Sequence, residues 1–440
     1  MKWLIAVLII SILIVFHEFG HYIAARINGV TVEEFSLGYG PRLLSVKKGD
    51  TRFSLKLLFI GGSCRMKGMI DDPEERKEAA AAATEGSFLS VSVGRRIAIV
   101  LAGPVFNFIL AFICAVIVLS VVGYDPAVVL DVPETSPAYE AGLRKGDLIE
   151  SFMGQHVDIG RDLSAWFIFD ELKAGEEVNL TVIREGEKQT ISYIPDSERR
   201  YMLGFSYHPG EDSAVIDELS IGYPLEEKGV RAGDVITSIN GVKINTADEL
   251  EAYFKENPVS EEEIAMTLTR SGHEYSIAVT PIHTDYVQTG FVYNLYRFTA
   301  TPLQVLKYAF IEIRYWIGTV LKSIAAMFTG RFSVNDLSGP VGIADAVGST
   351  YEETKSEGLL MTLMNMINLM IMLSANLGVV NLLPIPGIDG GRLLFLLLEA
   401  VRGKPVSQRI ELGFQAVAAL LLIILMVFVM WNDVHSLFGP

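Results

Sequence analysis

Four long apolar runs dominate the pattern of hydrophobic and polar positions along the 440 residues. They cover residues 3–25, 97–122, 359–388 and 412–431, and the second and third contain no charged side chain. About 20 apolar residues in a helix cross the hydrocarbon core of a bilayer. The pattern therefore predicts a polytopic α-helical membrane protein with about four transmembrane helices. We assign these helices to residues 1–26, 97–122, 359–392 and 412–432.

The first apolar run also has features of a secretory signal peptide, because Lys2 precedes an apolar core. However, polar residues occupy the place where a cleavage region would be. The helical pattern also continues through "YIAA" at 22–25. We therefore interpret the run as the first transmembrane helix.

A pattern of alternating apolar and polar residues follows the first run, between residues 33 and 69. Glycines mark turns within it, so we predict a small β-sheet in a membrane-associated segment, 27–96, that ends in a helical linker. The stretch "LKLLFIGG" (55–62) is apolar enough to dip into the bilayer. Because lipid does not tolerate an unpaired strand edge, that edge needs a protein cavity or a guest strand.

Residues 302–328 are apolar as well, but charged side chains interrupt them at a spacing typical of an amphipathic helix. We predict a helix and loop at the membrane surface over residues 300–358. A fifth span at this place would instead put the two termini on opposite sides of the membrane.

Charged residues are distributed unevenly around a formal net charge of −16. Residues 123–300 contain 14 Lys and Arg against 32 Asp and Glu, whereas residues 26–96 contain 12 against 9. Short cytoplasmic segments carry an excess of Lys and Arg, so we predict that 26–96 and 389–411 face the cytoplasm. The acidic segment and both termini are then extracytoplasmic. The acidic balance also argues against nucleic acid as a partner.

An internal repeat occupies the acidic segment. "SPAYEAGLRKGDLIESFMGQHV" (136–157) aligns with "YPLEEKGVRAGDVITSINGVKI" (223–244), and the match resumes near the end of each copy. Each copy predicts a short helix, a Gly-Asp turn, strands and a second helix, a pattern that resembles the PDZ domain of bacterial proteases. We therefore predict two extracytoplasmic α+β PDZ domains, at 125–198 and 203–284. PDZ domains bind an extended peptide as an added strand, or these copies only occlude or space another site.

The first apolar run ends in "HEFGH" (17–21), which fits the pattern H-E-x-x-H. On a helix, His17 and His21 share one face, so both imidazoles can bind one metal ion. Glu18 beside them can accept a proton from a water molecule. The five-residue motif alone is weak. Its place in a membrane run favours the metal interpretation, because ionisable groups in a low-dielectric medium need partners or a function.

A catalytic zinc needs a third protein ligand and an open position. The third apolar run offers no ionisable residue until its end, where Asp389 is the first. Pro384 and Pro386 must break the helix just before it, and a broken helix at membrane depth marks a cavity or a site. Asp389 has the alternative role of capping the next helix. Asn376 and Asn381 on the same run either pack helices or hold substrate backbone.

Three motifs in this order, "HEFGH", "AGPVFNFILA" (102–111) and "NLLPIPGIDGG" (381–391), resemble the site-2 protease family of zinc intramembrane metalloproteases. The two PDZ-like copies between the second and third motifs narrow the resemblance to the RseP-like bacterial branch. The resemblance extends over nearly the whole chain. One departure is "FIGGSCRM" (59–66), where relatives often have Leu-Gly-Gly-Tyr-Val-Lys-Met. This departure concerns the local substrate contacts and not the chemistry.

The resemblance implies a role for each candidate site residue. His17, His21 and Asp389 would bind one Zn²⁺ per chain, and Glu18 would be the catalytic general base. Substrate contacts are implied at the third motif and at the predicted sheet, by Asn376, Asn381, Pro384, Pro386, Gly61 and Gly62.

These roles predict a zinc-dependent endopeptidase that cleaves single-span membrane substrates, such as anti-sigma factors or remnant signal peptides, after a first extracytoplasmic cut. We expect the protein in the bacterial cytoplasmic membrane, with the bilayer, the single-pass substrates and peptide ligands of the PDZ domains as partners. A PDZ scaffold with an inactive site and a metal transporter are the alternatives. Retention of Glu18 with Asp389 argues against the scaffold, and the lack of a visible charge relay argues against the transporter.

Overall fold

The computed structural model describes residues 2–69, 85–210, 212–220, 222–270, 272–332 and 339–438. The first half of the predicted helix and linker, 73–84, lies outside the described residues. The chain divides into two compact units. Met1–Asp125 and Tyr296–Leu437 form one unit, and the other contains Pro126–Leu295.

The first unit is mainly helical with one hairpin, and the second consists mainly of strands. The helices, in chain order, are α1 (Lys2–Ile27), α2 (Val93–Val122), α3 (Pro137–Glu140), α4 (Gly160–Phe169), α5 (Pro224–Glu227), α6 (Ala247–Glu256), α7 (Pro302–Phe328), α8 (Pro340–Thr354), α9 (Leu359–Leu382), α10 (Asp389–Arg402) and α11 (Gln408–Phe438). The strands are β1 (Val32–Lys48), β2 (Thr51–Met66), β3 (Val129–Asp131), β4 (Leu148–Phe152), β5 (Gln155–His156), β6 (Val178–Arg184), β7 (Glu187–Tyr193), β8 (Ser197–Met202), β9 (Phe205–Ser206), β10 (Glu218–Leu219), β11 (Val235–Ile239), β12 (Val242–Lys243), β13 (Ile264–Arg270), β14 (His273–Val279), β15 (Ile282–Val287) and β16 (Val292–Tyr293).

Within the described residues, α1, α2 and α9 are long and apolar enough to cross a bilayer. α1 and α2 coincide with the first two predicted spans and support the prediction of a helical membrane protein. The third predicted span, 359–392, was too long, because α9 ends at Leu382 before the prolines and α10 begins at Asp389. The fourth predicted span lies in α11, where the described residues include an apolar stretch at Ala419–Trp431. A total of four spans therefore stays a prediction.

One apolar core joins α1, α2, α7, α8 and α9. Its fully buried residues include small side chains, such as Ala6 of α1 and Ala111 of α2. One close approach is at Gly20 of α1, where a Cβ would lie 2.4 Å from the carbonyl oxygen of Ala102 in α2. The "HEFGH" end of α1 is therefore held directly against the backbone of α2.

The apolar segment with interspersed charges forms one helix, α7. Thr301 and Gln304 cap its first turn with reciprocal side-chain hydrogen bonds. Val305 and Ala309 are buried in the helical core, whereas Phe310 is exposed. The helix thus has one buried and one exposed face, and its location at the membrane surface stays a prediction.

The predicted sheet between the first two spans is a bent hairpin of β1 and β2. Residues 34–37 of β1 each have two partners in β2, one within 52–55 and one within 62–65. The first half of β1 is therefore flanked on both sides. The end of β2 has a partner on one side only among the described residues, so it forms an edge of the sheet.

A buried carboxylate fastens the bend of this hairpin. Arg42 Nε and Ser54 Oγ both donate to Oε1 of Glu34 at 2.7 Å. The hydrogen bond from Arg42 is the main reason that the pKa of Glu34 is lowered to about 2. Glu34 is therefore ionised at physiological pH and joins three parts of the hairpin.

Both repeat copies contain a four-stranded sheet of the same strand order, β5-β4-β6-β7 in the first and β12-β11-β13-β14 in the second. The aspartate of the Gly-Asp turn is buried in each copy. Asp147 accepts two hydrogen bonds from Arg184, and Asp234 accepts two from Arg270. The repeat in sequence is therefore a repeat in structure, while the assignment of both copies as PDZ domains stays a prediction.

A strand from beyond the second copy completes the first. β16 pairs with β3, and Phe291 is buried in the core of the first copy. β9 and β10 form the equivalent pair in the second copy. "GFVY" (290–293) and "GFSY" (204–207) begin the two matching strands, and their glycines have φ of 78° and 81°. The predicted boundary 125–198 therefore leaves out part of the first copy, because the second copy is inserted into it.

Replacement of Asp234 by Asn is expected to destabilise the second copy by about 2 kcal/mol or more. Asp234 is buried and accepts hydrogen bonds from Arg270, from Tyr275 and from the backbone N–H of Arg231. The variant leaves the guanidinium of Arg270 without its counter-charge. Hydrogen–deuterium exchange of the full chain should be faster in β11 and β13 of the variant. Glu261→Gln changes an exposed carboxyl of the same copy and should leave exchange unchanged.

The same carboxylate makes the second copy sensitive to acid. Burial alone would raise the pKa of Asp234, but the hydrogen bonds from Arg270 and Tyr275 outweigh it and lower the pKa. The resulting stability is present above the unfolded-state pKa and is lost as pH falls through the folded-state pKa. Protection of β11 should therefore decrease below about pH 4 in the wild type and depend less on pH in Asp234→Asn. Equal exchange of the two proteins at neutral pH would contradict this role.

Candidate metal centre

Helix α1 places His17 and His21 four residues apart, with both imidazoles on the face toward α2. Their Nε2 atoms are 3.2 Å apart. Oδ2 of Asp389 lies 3.0 Å from Nε2 of His17 and 3.1 Å from Nε2 of His21. Both histidines are buried, and the Asp389 side chain is 14% exposed. The structure therefore brings together the three predicted ligands, although Asp389 is far away in the sequence.

The spacing of the three donor atoms fits a zinc ion. Ligand atoms at 2.0–2.1 Å from a tetrahedral zinc lie roughly 3.3 Å from each other, close to the distances found here. Two imidazole nitrogens and one carboxylate oxygen are also typical of a catalytic zinc with an open fourth position. Among the described residues, these three side chains form the group of His, Cys, Asp and Glu that can share an ion.

Asp389 reaches the histidines because the chain turns sharply between α9 and α10. Pro384 and Pro386 prevent the helix from continuing through this segment. A glycine is required directly after the ligand, since a Cβ at Gly390 would lie 2.0 Å from the carbonyl oxygen of Leu383. The break and the glycine together place the carboxylate at the first residue of α10.

One face of α2 supports both histidines. Nδ1 of His21 donates to the carbonyl oxygen of Ile99 at 2.9 Å, and this tautomer leaves Nε2 free for a metal. Gly103, one turn further along, makes room for the rings. A Cβ there would lie 2.4 Å from Nε2 of His21 and 2.7 Å from Cε1 of His17. Asn107, one turn beyond Gly103, contacts Nδ1 of His17 at 3.0 Å.

The amide of Asn107 is suited to orient His17. Its Oδ1 is buried and has no hydrogen-bond partner in the described part of the chain, while its Nδ2 lies next to the histidine. When Nε2 of His17 binds a metal, Nδ1 carries the proton and needs an acceptor. A half-turn of the amide brings Oδ1 to this position. Ser374 of α9 donates to the backbone oxygen of Asn107 at 2.7 Å and thereby fixes this turn of α2.

A cavity of about 580 Å³ opens beside the ligands. Glu18 lines the cavity but does not belong to the group that can share an ion. The edge at the end of β2 forms another wall. A Cβ at Gly62 would lie 3.2 Å from Cγ of Glu18, so the glycine lets this strand pack against the carboxylate-bearing side chain.

The structure separates the predicted substrate residues into two groups. The cavity lining includes Gly61, Gly62 and Asn381 but not Asn376, Pro384 or Pro386. Residues that the sequence interpretation missed also line it, namely Tyr39, Arg65 and Arg392. Arg392 could have been predicted, because it directly follows the Asp-Gly-Gly sequence at 389–391. Tyr39 and Arg65 lie in an ordinary strand pattern and gave no such signal.

Known proteins with similar sequences give the family. A family model, peptidase family M50, matches residues 5–425. The chain belongs to this family. The Regulator of sigma-W protease RasP of Bacillus subtilis (strain 168) is 30% identical to this chain, and the similarity covers 98% of both proteins. The Zinc metalloprotease RasP of Geobacillus kaustophilus (strain HTA426) is 28% identical over 98% of this chain and 97% of that protein.

Membership of the M50 family confirms the predicted resemblance to the site-2 proteases. The chain is a zinc metalloprotease of the site-2 protease type, and zinc is its cofactor. His17, His21 and Asp389 fit that ion. A solved structure, the PDZ domain of HtrA3 bound to a phage-derived ligand, is similar over 20% of this chain and 92% of that one, with 17% identity and a TM-score of 0.18.

Proposed function

We propose that this M50 protease hydrolyses peptide bonds inside the membrane, in single-span substrates that have already lost their outer domain. The position of the metal centre supports this proposal most. His17 and His21 lie in α1, which is long and apolar enough to cross a bilayer, and they share one cavity with Glu18 and Asp389. Ionisable residues within the hydrocarbon region are costly, and those that occur there usually serve a function.

The residues of the site divide the chemistry between them. His17, His21 and Asp389 hold the metal, and contacts with Ile99 and Asn107 fix the imidazole rings. Zinc, when bound, polarises the scissile carbonyl and lowers the pKa of a water molecule to about 7. Glu18 accepts the proton that the attacking water loses and delivers it to the leaving amine.

The substrate must unwind locally, because helix hydrogen bonds cover the carbonyl groups of an intact span. We propose that the unwound segment pairs with the edge at the end of β2. In the free protein the ring of Tyr39 covers this edge, and its hydroxyl donates to the carbonyl oxygen of Gly62 at 3.2 Å. An added strand therefore displaces this ring. The segment with Asn381, Asn376, Pro384 and Pro386 would hold the substrate from the opposite side.

The proposed substrates are anti-sigma factors and remnant signal peptides in the bacterial cytoplasmic membrane. The words "Regulator of sigma-W protease" in the name of the Bacillus relative support the first class. We propose that the cytoplasmic side carries the hairpin of β1 and β2, because residues 26–96 have excess positive charge. The acidic repeat copies and both termini then lie outside.

The two repeat copies have a proposed role of their own in peptide binding. A peptide would add to β16 beside α4 in the first copy and to β9 beside α6 in the second. Contacts between these strands and helices support the assignment: the rings of Tyr293 and Phe167 stack in the first copy, and those of Phe205 and Phe254 meet in the second. Peptide binding there would select substrates, and the alternative is simple exclusion of bulky outer domains.

Cleavage of a single-span model substrate in liposomes tests the proposed function. A chelator should lower the rate by about 100-fold or more, and added zinc should restore it. Mass spectrometry of the fragments should place their new ends within the transmembrane segment. A matched substrate that keeps a folded outer domain should be cleaved more slowly. Cleavage only outside the transmembrane segment would contradict hydrolysis inside the membrane without contradicting the metalloprotease assignment.

A further inference from the structure

A buried ion pair connects α2 with α10, the helix that begins at Asp389. Nη1 and Nη2 of Arg96 donate to Oε2 and Oε1 of Glu399 at 3.1 and 2.8 Å. The two side chains are only 12% and 14% exposed. Nε of Arg96 is buried without a hydrogen-bond partner in the part of the chain that the structure describes, so the guanidinium depends on Glu399.

Arg96 shares a face of α2 with the residues that support the histidines. Positions 96, 99, 103 and 107 are three or four residues apart, the spacing at which residues share one face of a helix. The last three contact His17 or His21, whereas Arg96 contacts the helix that carries Asp389. This face of α2 therefore touches the elements that carry all three ligands.

We propose that Arg96 and Glu399 are positioning residues for the metal ligand Asp389. Asp389 follows a broken helix, so the orientation of α10 decides where its carboxylate lies. Glu399 is ten residues further along this helix, at a distance of about 15 Å. A tilt of roughly 5° about the ion pair moves the other end of this length by about 1.3 Å. Metal–ligand distances vary by only about 0.2 Å, so such a tilt removes the ligand.

Apolar packing between α2 and α10 does not fix this orientation by itself. Leu393 and Leu396 of α10 pack against Ile99 and Val100 of α2, but apolar contacts are non-directional. The two parallel hydrogen bonds of a guanidinium and a carboxylate have defined directions. A buried ion pair also adds little net stability over apolar residues of similar size. The ion pair therefore acts mainly on the position of Asp389 and hence on zinc binding. This effect does not depend on where the substrate is cleaved.

Zinc affinity of the purified full-length protein tests this inference. Glu399→Gln should raise the Kd for zinc about tenfold in competition with a chelator, as loss of groups that orient ligands commonly does. With Co²⁺ in place of zinc, the visible absorption spectrum should change, because it reports the ligand geometry. Glu198→Gln removes a carboxylate from an exposed pair with Arg200 and should leave both measurements unchanged.

A double variant, Arg96→Met with Glu399→Leu, separates positioning from folding. Apolar side chains of similar size should keep the thermal unfolding temperature close to that of the wild type. The Kd for zinc should nevertheless stay raised about tenfold, with an altered Co²⁺ spectrum. A wild-type Kd in Glu399→Gln, or a Kd that returns to the wild-type value in the double variant, would overturn the inference. Neither result depends on whether a substrate is cleaved.

Discussion

Replacement of Glu18 by Gln is expected to lower peptide hydrolysis by about 10³-fold or more while zinc stays bound. Glu18 lines the cavity beside the ligands, but it is not one of the three side chains that can share the ion. Gln has the same shape and cannot accept the proton that the attacking water loses. The rate would be measured with a single-span substrate in liposomes, and the metal content by elemental analysis of the same preparation.

Glu198→Gln is the matched control, because it makes the same chemical change at an exposed side chain of the other unit. It should cleave at the wild-type rate. Substantial cleavage by Glu18→Gln with zinc retained would remove Glu18 from the role of general base. Loss of zinc together with activity would contradict the geometry, since it would make Glu18 part of the metal site. An inactive protein that still binds zinc would agree with both the proton-transfer role and the ligand set.

The ligands of the metal centre were predictable because each has a local signal. His17 and His21 are four residues apart within one helical run, and this spacing alone places them on one face. Asp389 follows a run without charges and a proline-rich break. An ionisable residue at the end of an apolar run is costly, so a functional role is expected for it. In the structure the ligand atoms of these three side chains lie within 4.8 Å of one another. Helical periodicity and the cost of burying charge therefore pointed to these residues, but they left Asp389 as either a ligand or the cap of the next helix, and only the family resemblance implied the full ligand set.

The residues of α2 that hold the histidines in place could not be predicted in the same way, because they have no distinctive chemistry. Ile99 contributes a backbone carbonyl, Gly103 contributes the absence of a side chain, and Asn107 contributes an ordinary amide. Each acts only because α2 packs directly on α1. Their spacing along one helix face was visible in the sequence, but the helix that this face meets was not.

The architecture of the repeat has a similar explanation. The long match between the copies identified two units, whereas the strand that completes the first copy lies after the second. Its sequence signal is only "GFVY" (290–293) against "GFSY" (204–207), a four-residue similarity. Pairing of β16 with β3 joins segments that are far apart in the chain, and no local pattern encodes such a contact. The insertion of the second copy into the first was therefore visible only in the structure.

Replacement of Gly103 by Ala is expected to weaken zinc binding by about 100-fold, although alanine favours helices more than glycine does. A Cβ at this position would lie 2.4 Å from Nε2 of His21, and a contact under 3.0 Å forces something to move. The imidazole of His21 cannot retreat without losing its hydrogen bond to Ile99. Helix α2 cannot retreat easily either, because its backbone packs on Gly20 of α1. The rings must therefore leave the positions that hold the metal.

Gly94→Ala is the matched control for this prediction, since it lies on the same helix and a Cβ there meets nothing within 4 Å. It should bind zinc like the wild type and unfold at an equal or higher temperature. Chelator competition on both variants measures the difference directly, without a substrate. Equal zinc affinity of the two variants would mean that α1 and α2 can separate at the site. The tight backbone contact between them would then not be what holds the histidines in place.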